Sequence, residues 1–157
     1  WIPESVWTHE RQKARTAIRD DVKLKLEGYD IDPRSIRIAR ENAEKAGVGD
    51  LIHFQVRDVA DLSSKEKYGY ILTNPPYGER LSDLREAEKL YSVMGDRFSR
   101  LDTWSWYVIT AHEGFEASFG KKATKNRKLY NGRIKCYFYQ YFGPKPPKRS
   151  KEELPRD

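Results

Sequence analysis

Residues 22–47 read VKLKLEGYDIDPRSIRIARENAEKAG, and the fold class turns on how this run changes its period. Val22, Leu24 and Leu26 alternate with Lys23, Lys25 and Glu27, the two-residue repeat of a strand running to Tyr29. Asp32-Pro33 follows at once. Aspartate is a good N-cap, and proline suits the first helical position, where its missing N–H costs nothing. Ile36, Ala39, Ala43 and Ala46 then share one helical face, and Gly47 stops the helix. Strand, tight turn and helix together make the unit from which parallel sheets are built.

Outward from this unit the order repeats. Upstream, residues 3–20 read as a helix, with Pro3 near its start and Val6, Ala14, Ala17 and Ile18 among charges. Downstream, 51–56 is a second strand and 68–73 a third, short and apolar as a buried parallel strand is. Ser82 caps the next helix, whose apolar positions are Leu84, Ala87, Leu90, Tyr91, Met94 and Phe98; Gly95 weakens its last turn. A fourth strand, 104–110, and a short helix, 113–119, follow. Asn131-Gly132 then separates 128–130 from the long run 133–142, the strongest short-range hairpin signal. Within that run, alternation is expected to bury Ile134, Cys136, Phe138 and Gln140 on one face. The pattern predicts an α/β fold: a mostly parallel sheet covered on both faces, with an antiparallel hairpin at one edge. The domain is expected to span residues 1–143, with 1–21 as a leading helix. Residues 144–157 form a basic, proline-rich tail without periodicity, expected to be disordered.

Composition bounds the function classes. The 157 residues fit one domain, and ten Tyr, six Phe and four Trp can fill a core, which excludes wholesale disorder. No apolar run approaches the roughly 18 residues of a membrane-spanning helix, so no membrane partner is expected. A single cysteine, Cys136, excludes an internal disulfide, and no Cys/His cluster suggests a metal site. Without a secretory signal, a reducing cytoplasm is the expected setting. The chain starts at Trp1 and its one methionine is Met94, so an upstream segment is expected to be missing. The net charge of +6 hides an asymmetry: residues 1–120 balance at −3, whereas 121–151 carry eleven basic side chains and no acidic one. Aromatic residues interleave that basic run. A positive field confined to one end points towards a polyanion.

Parallel sheets bind ligands at the carboxyl ends of their strands, here just after Tyr29, Val56 and Thr73. Asp30 follows the first strand, and an acidic residue there can accept from both hydroxyls of a ribose. Asp32 is accounted for as a helix cap; Asp30, two residues before it, is not. Asp58 follows the second strand, where a carboxylate could accept from an adenine amine or simply close a turn. After the third strand comes Asn74-Pro75-Pro76-Tyr77-Gly78. Two prolines stiffen the backbone and remove two N–H donors, leaving the Asn74 amide oxygen and the Pro75 carbonyl as acceptors. Acceptors with few donors suit an exocyclic amine, and an aromatic residue directly after them can stack on a base.

Asn74-Pro75-Pro76-Tyr77 resembles the signature of S-adenosylmethionine-dependent amino-methyltransferases, which modify adenine N6, cytosine N4 or guanine N2. The longer run 74–81 is similar to the THUMP-associated RNA methylases, ribosomal RNA guanine-N2 methyltransferases with an N-terminal THUMP domain. Three further stretches carry that narrower match: 28–47 with its Asp30-Ile31-Asp32-Pro33 and Glu41-Asn42-Ala43, Leu101-Asp102-Thr103-Trp104, and Lys122-Ala123-Thr124-Lys125 through Tyr141. The resemblance spans residues 22–143. It implies a Rossmann-like class I methyltransferase sheet, S-adenosyl-L-methionine as cofactor, RNA (ribosomal) as partner, and a THUMP-like domain upstream in the same full-length chain. By position, Asp30 would take the cofactor's ribose hydroxyls and Ile31 one face of its adenine. Asp58 would accept from the adenine amine, with Val59 packing nearby. Asn74 and the Pro75 carbonyl, with Pro76 stiffening the loop, would hold the target amine beside the cofactor, and Tyr77 would stack on a flipped base. Two acceptors on the amine hydrogens turn the nitrogen lone pair towards the methyl carbon, so no general base is needed first. His9, His53 and His112 are then surface or packing residues. Lys121, Lys122, Lys125, Arg127 and Lys128 are the candidates for RNA phosphate contacts.

One departure matters. The family's glycine-rich loop after its first strand has no counterpart here; Gly47-Val48-Gly49 follows a helix and reads as a C-cap and turn. Loop and strand are expected upstream of Trp1, so this stretch alone should bind cofactor weakly and be inactive. Two other readings stay open: an adenine-N6 methyltransferase on DNA or RNA, and an RNA-binding module that keeps the fold without the catalysis.

Overall fold

In the computed structural model of the chain, residues 1–147 are described apart from 20, 23, 79 and 80, and apart from the side chains of Leu81 and Ser82. Helices and strands alternate along it as the periodicity predicts: α1 (Glu4–Thr16), β1 (Leu26–Asp30), α2 (Pro33–Lys45), β2 (Ile52–Val56), β3 (Tyr70–Thr73), α3 (Leu81–Ser99), β4 (Ser105–Thr110), α4 (Phe115–Phe119), β5 (Lys125–Asn131) and β6 (Ile134–Tyr141). Two compact units divide the chain, one from Trp1 to Val56 and the other from Arg57 onward.

In the first unit β1 and β2 pair in parallel, from Leu26 opposite Ile52 to Asp30 opposite Val56. The Asp32 side chain accepts the Arg34 N–H at 2.8 Å and so caps α2. At the other end the Val48 N–H returns to the Ala43 carbonyl, closing the helix around Gly47. Ile36 and Ala43 are buried, Ala39 is half-buried, and Ala46, just past the last turn, is exposed. The strand starts at Leu26 rather than Val22, because its ladder begins only where β2 supplies Ile52; Leu24 stays exposed, and Lys23 is outside the described residues. Helix α1 ends at Thr16, short of the expected 20. Ala17 is its C-cap, Ile18 lies beyond it in the open, and no residue of the helix is buried.

The second unit holds a four-stranded sheet in the order β3-β4-β6-β5, with β3 and β4 parallel and the hairpin antiparallel at the edge. Helices α3 and α4 fill one face with Tyr91, Met94, Phe98, Phe115 and Phe119 against Trp106, Val108, Tyr139 and Tyr141. The opposite face is not covered as expected among the described residues: Tyr70 and Leu72 on it are 66% and 74% exposed. Strand β3 begins at Tyr70, later than predicted, because Tyr68 takes a left-handed φ of +60° and gives its N–H to the Thr103 hydroxyl at 3.1 Å. Ser82, expected as the cap of α3, lies within a helix that already runs from Leu81. Gly95 does not end that helix; it sits where the backbone of Phe119 passes too close to admit a side chain.

The hairpin turns one residue later than predicted. Asn131 pairs with Ile134, so the two turn residues are Gly132, at φ +62°, and Arg133. Positive φ at the first turn position alone is the II′ pattern, which needs glycine there. The buried face of β6 also differs: Tyr139 and Tyr141 meet the helices, while Ile134 is exposed and Phe138 and Gln140 are half-buried. Of the expected set, only Cys136 is fully buried. Period two identifies two faces, and here both are aromatic. No described helix is long and apolar enough to cross a membrane, and among the described residues no His/Cys/Asp/Glu cluster is arranged to hold a metal. The expected disorder of the tail falls largely on residues 148–157, outside the described residues.

Candidate functional site

At the end of β1 the Asp30 carboxylate is exposed, and one of its oxygens accepts the Asp32 N–H at 2.8 Å. That turn role is one the sequence reading did not give it; among the described residues no backbone N–H reaches the second oxygen. Ile31 follows at 68% exposure, an apolar face set next to an acceptor. The Arg34 guanidinium beside Asp32 holds that carboxyl below the usual carboxylate range, so the cap stays ionised. A surface depression between Leu24–Glu27 and Asp50–His53 lies at the amino ends of β1 and β2, away from Asp30.

In the second unit, Asp58 caps a 3₁₀ turn, Val59–Asp61, by accepting the Ala60 N–H at 2.8 Å. Val59 is half-buried against the aromatic core. Each candidate is thus an acceptor or apolar group on a backbone fixed by a strand end and a turn.

The segment 74–78 leaves β3 without regular structure, and it is tied at three points. Gly78 has φ +71°, and a Cβ there would stand 2.6 Å from the Cα of Leu84, so only glycine joins the loop to α3 this way. The Pro76 carbonyl accepts from the Tyr91 hydroxyl of α3 at 2.5 Å. The Asn74 side-chain oxygen accepts from the Tyr77 hydroxyl at 2.8 Å. Asn74 is exposed and Pro75 buried. Glu79 and Arg80, part of the matched run, are outside the described residues.

Tyr77 does not lie ready to stack. Its half-buried ring turns back so that the hydroxyl also reaches Cys136 of β6, with Sγ at 3.9 Å, and the Asn131 side chain at the hairpin turn. Burial, and then the thiol beside it, push its phenol pKa up, so the proton that Asn74 accepts stays in place. Sequence reasoning missed Tyr91, Thr110 and Cys136. Tyr91 carried a usable signal, because a polar-tipped aromatic in a helix's apolar stripe needs a partner for its hydroxyl.

The basic candidates divide. Lys125 and Arg127 stand on one face of the fully exposed edge strand β5, and Lys128 on the other with its ammonium 5.7 Å from the Tyr130 ring. Lys122 is exposed in the preceding loop. Lys121 holds its ammonium 4.5 Å over the Trp106 ring.

Comparison with known proteins agrees with this layout. The model of the UPF0020 family, the RMKL-like methyltransferase domain, matches residues 2–140. A Bacillus subtilis (strain 168) protein that carries the name RNA methyltransferase YpsC is 45% identical over 153 residues, 98% of this chain and 40% of that protein. The ribosomal RNA large subunit methyltransferase K/L of Shewanella frigidimarina (strain NCIMB 400) is 38% identical over 133 residues, 84% of this chain and 19% of its own. The crystal structure of SMU.472, a methyltransferase complexed with SAH, matches with a TM-score of 0.83 at 38% identity, covering 94% of this chain and 39% of that one. The chain therefore spans two fifths or less of the length of these relatives.

Proposed function

The chain belongs to the RMKL-like methyltransferase domain family, and from that premise we propose that it supplies the amine-binding loop of an enzyme methylating guanine N2 in large-subunit ribosomal RNA. Its strands and helices are those of the class I methyltransferase α/β fold, whose cofactor is S-adenosyl-L-methionine. The observation that carries the reading is the tethered loop: an exposed amide oxygen at Asn74 beside two prolines that offer carbonyls and no N–H.

The residues present fit part of the cofactor. Asp30 has a carboxylate oxygen beyond the one used on Asp32, which suits a ribose hydroxyl, and exposed Ile31 suits an adenine face. Asp58, exposed at its turn, suits an adenine amine, with Val59 behind it. When bound, the cofactor supplies an electrophilic methyl group on a sulfonium. For the rest, Asn74 Oδ1 and the Pro75 carbonyl accept the two amine hydrogens and turn the nitrogen lone pair out of the base plane. They also stabilise the positive charge that grows on nitrogen, an interaction stronger in the transition state than before it. The alkylated amine is acidic enough to release its proton to water afterwards, so this chain need provide no base.

Base entry also sets Tyr77 free. The amine replaces the Tyr77 hydroxyl on Asn74, one hydrogen bond for another, and the released ring stacks on the flipped base. Lys125 and Arg127, with Lys121, Lys122 and Lys128, hold phosphates and so position RNA without reading its sequence. A THUMP-like domain elsewhere in the same protein would add reach.

The test uses the intact protein with labelled S-adenosylmethionine and undermethylated ribosomal RNA, digested to nucleosides after reaction. Label in N2-methylguanosine is the expected result. Label in N6-methyladenosine would keep the acceptor loop and change the base. An intact protein that binds cofactor but labels no nucleoside would favour the RNA-binding module without catalysis.

A further inference from the structure

We infer that the Tyr91 hydroxyl is the positioning residue of the acceptor loop, held in its donating direction by Thr110; this rests on Asn74 and the Pro75 carbonyl being the amine acceptors. Pro75 and Pro76 have no N–H, so this part of the loop can be held through its backbone only by its carbonyls. Among the described residues, the grip on a proline carbonyl comes from Tyr91, whose hydroxyl donates to Pro76 at 2.5 Å.

The direction of each proton follows from simple accounting. A phenol has one proton, and the Pro76 carbonyl can only accept, so the Tyr91 proton points to the loop. The Thr110 hydroxyl, 3.1 Å away, must then donate to the Tyr91 oxygen. Thr110 in turn accepts the His112 backbone N–H at 3.2 Å. The relay runs one way, from the end of β4 to the loop.

Its surroundings favour that fixed direction. Tyr91 and Thr110 are both fully buried, and Thr110 is the buried polar residue of the described core. The Tyr91 ring is met edge-on by Phe115 at 4.9 Å and by His112 at 5.5 Å, leaving the phenol little choice of partner. Burial also pushes the phenol pKa up, which keeps the proton in place.

The consequence lies one peptide back. The ring of Pro76 fixes φ, and the grip on its carbonyl fixes ψ. The Pro75 carbonyl, on the other side of that ring, is then aimed by the same two constraints. Thr73 pairs with Val108 in the last rung of the β3–β4 ladder, and Thr110 ends the neighbouring strand two residues further on. The acceptor is therefore placed from the sheet, not from the flexibility of its own loop.

The experiment compares methyl transfer by the intact protein and its Tyr91→Phe, Thr110→Val, Thr110→Ser and Asn74→Ala variants, separating kcat from KM. Tyr91→Phe is expected to lower kcat about 10- to 100-fold, the scale of a misplaced reacting group, with KM for S-adenosylmethionine within about twofold. Thr110→Val should lower kcat in the same way, and Thr110→Ser, which keeps the hydroxyl, should restore most of it. The Tyr91→Phe/Thr110→Val double variant should be no worse than Tyr91→Phe alone, since Thr110 acts through that hydroxyl. A Tyr91→Phe variant with kcat within about twofold of the parent would overturn the positioning role. So would Thr110→Ser losing as much as Thr110→Val, a comparison that decides even if Tyr91→Phe does not fold. Asn74→Ala separates the two levels: normal turnover in that variant removes the acceptor reading itself, whereas its loss beside an active Tyr91→Phe removes only the relay.

Discussion

At Asn74 a tyrosine hydroxyl stands where a substrate amine is proposed to come, and the loop's chemistry follows from that exchange. Swapping one neutral hydrogen bond for another costs little, so Tyr77 keeps the oxygen oriented without blocking it strongly. The acceptor character of the loop was legible from residue types alone, because proline has no N–H in any fold. Its anchors were not legible, since Tyr91 and Thr110 lie 15 and 34 residues downstream of Pro76 and meet it only through packing. Gly78 tests how firmly the loop depends on its backbone. Ala at φ +71°, with its methyl against the Leu84 backbone, should cost about 2 kcal/mol or more in stability and lower transfer. Urea unfolding of the intact protein measures the first and a single-turnover assay the second. A Gly78→Ala protein within about 0.5 kcal/mol of its parent would mean the loop and α3 can move apart at little cost.

Among the elements, the hairpin shows both the reach of sequence reading and its limit. Asn131-Gly132 located the turn, but the strand pairing extends through Asn131, which leaves glycine first in the turn and shifts the register by one. Alternation in β6 was equally clear, yet aromatic residues occupy both faces, and only the positions of Phe115 and Phe119 decide that Tyr139 and Tyr141 go inward. In β5 no burial competes for the side chains, so its charges can serve binding alone. Lys125 and Arg127 share a face there, whereas Lys121 is engaged over Trp106. Replacing Lys125 and Arg127 by alanine should weaken RNA binding across sequences and reduce the slope of log affinity against log salt by about 1 to 2. An unchanged slope would take these two side chains out of the phosphate-binding set.

Over the whole molecule, the alternation of strands and helices was readable because Asp32, Pro33 and Gly47 punctuate the chain independently of tertiary context. Strand ends were less readable: β1 begins pairing only where β2 supplies Ile52, and β3 waits until the strained Tyr68 is past. The cofactor contacts proposed for this chain are side-chain acceptors and apolar faces at Asp30, Ile31, Asp58 and Val59. None of them supplies the row of backbone N–H groups that a glycine-rich turn offers; Gly47 is occupied in ending α2 and Gly49 in opening the 3₁₀ turn Gly49–Leu51. This sequence alone should therefore hold S-adenosylmethionine weakly, at least about 100-fold below the intact protein, a deficit of roughly 3 kcal/mol. Titration calorimetry on both, after circular dichroism has established that the shorter chain is folded, measures the difference. Equal affinity would place the whole cofactor contact within these residues and leave no part in binding for a loop elsewhere in the protein.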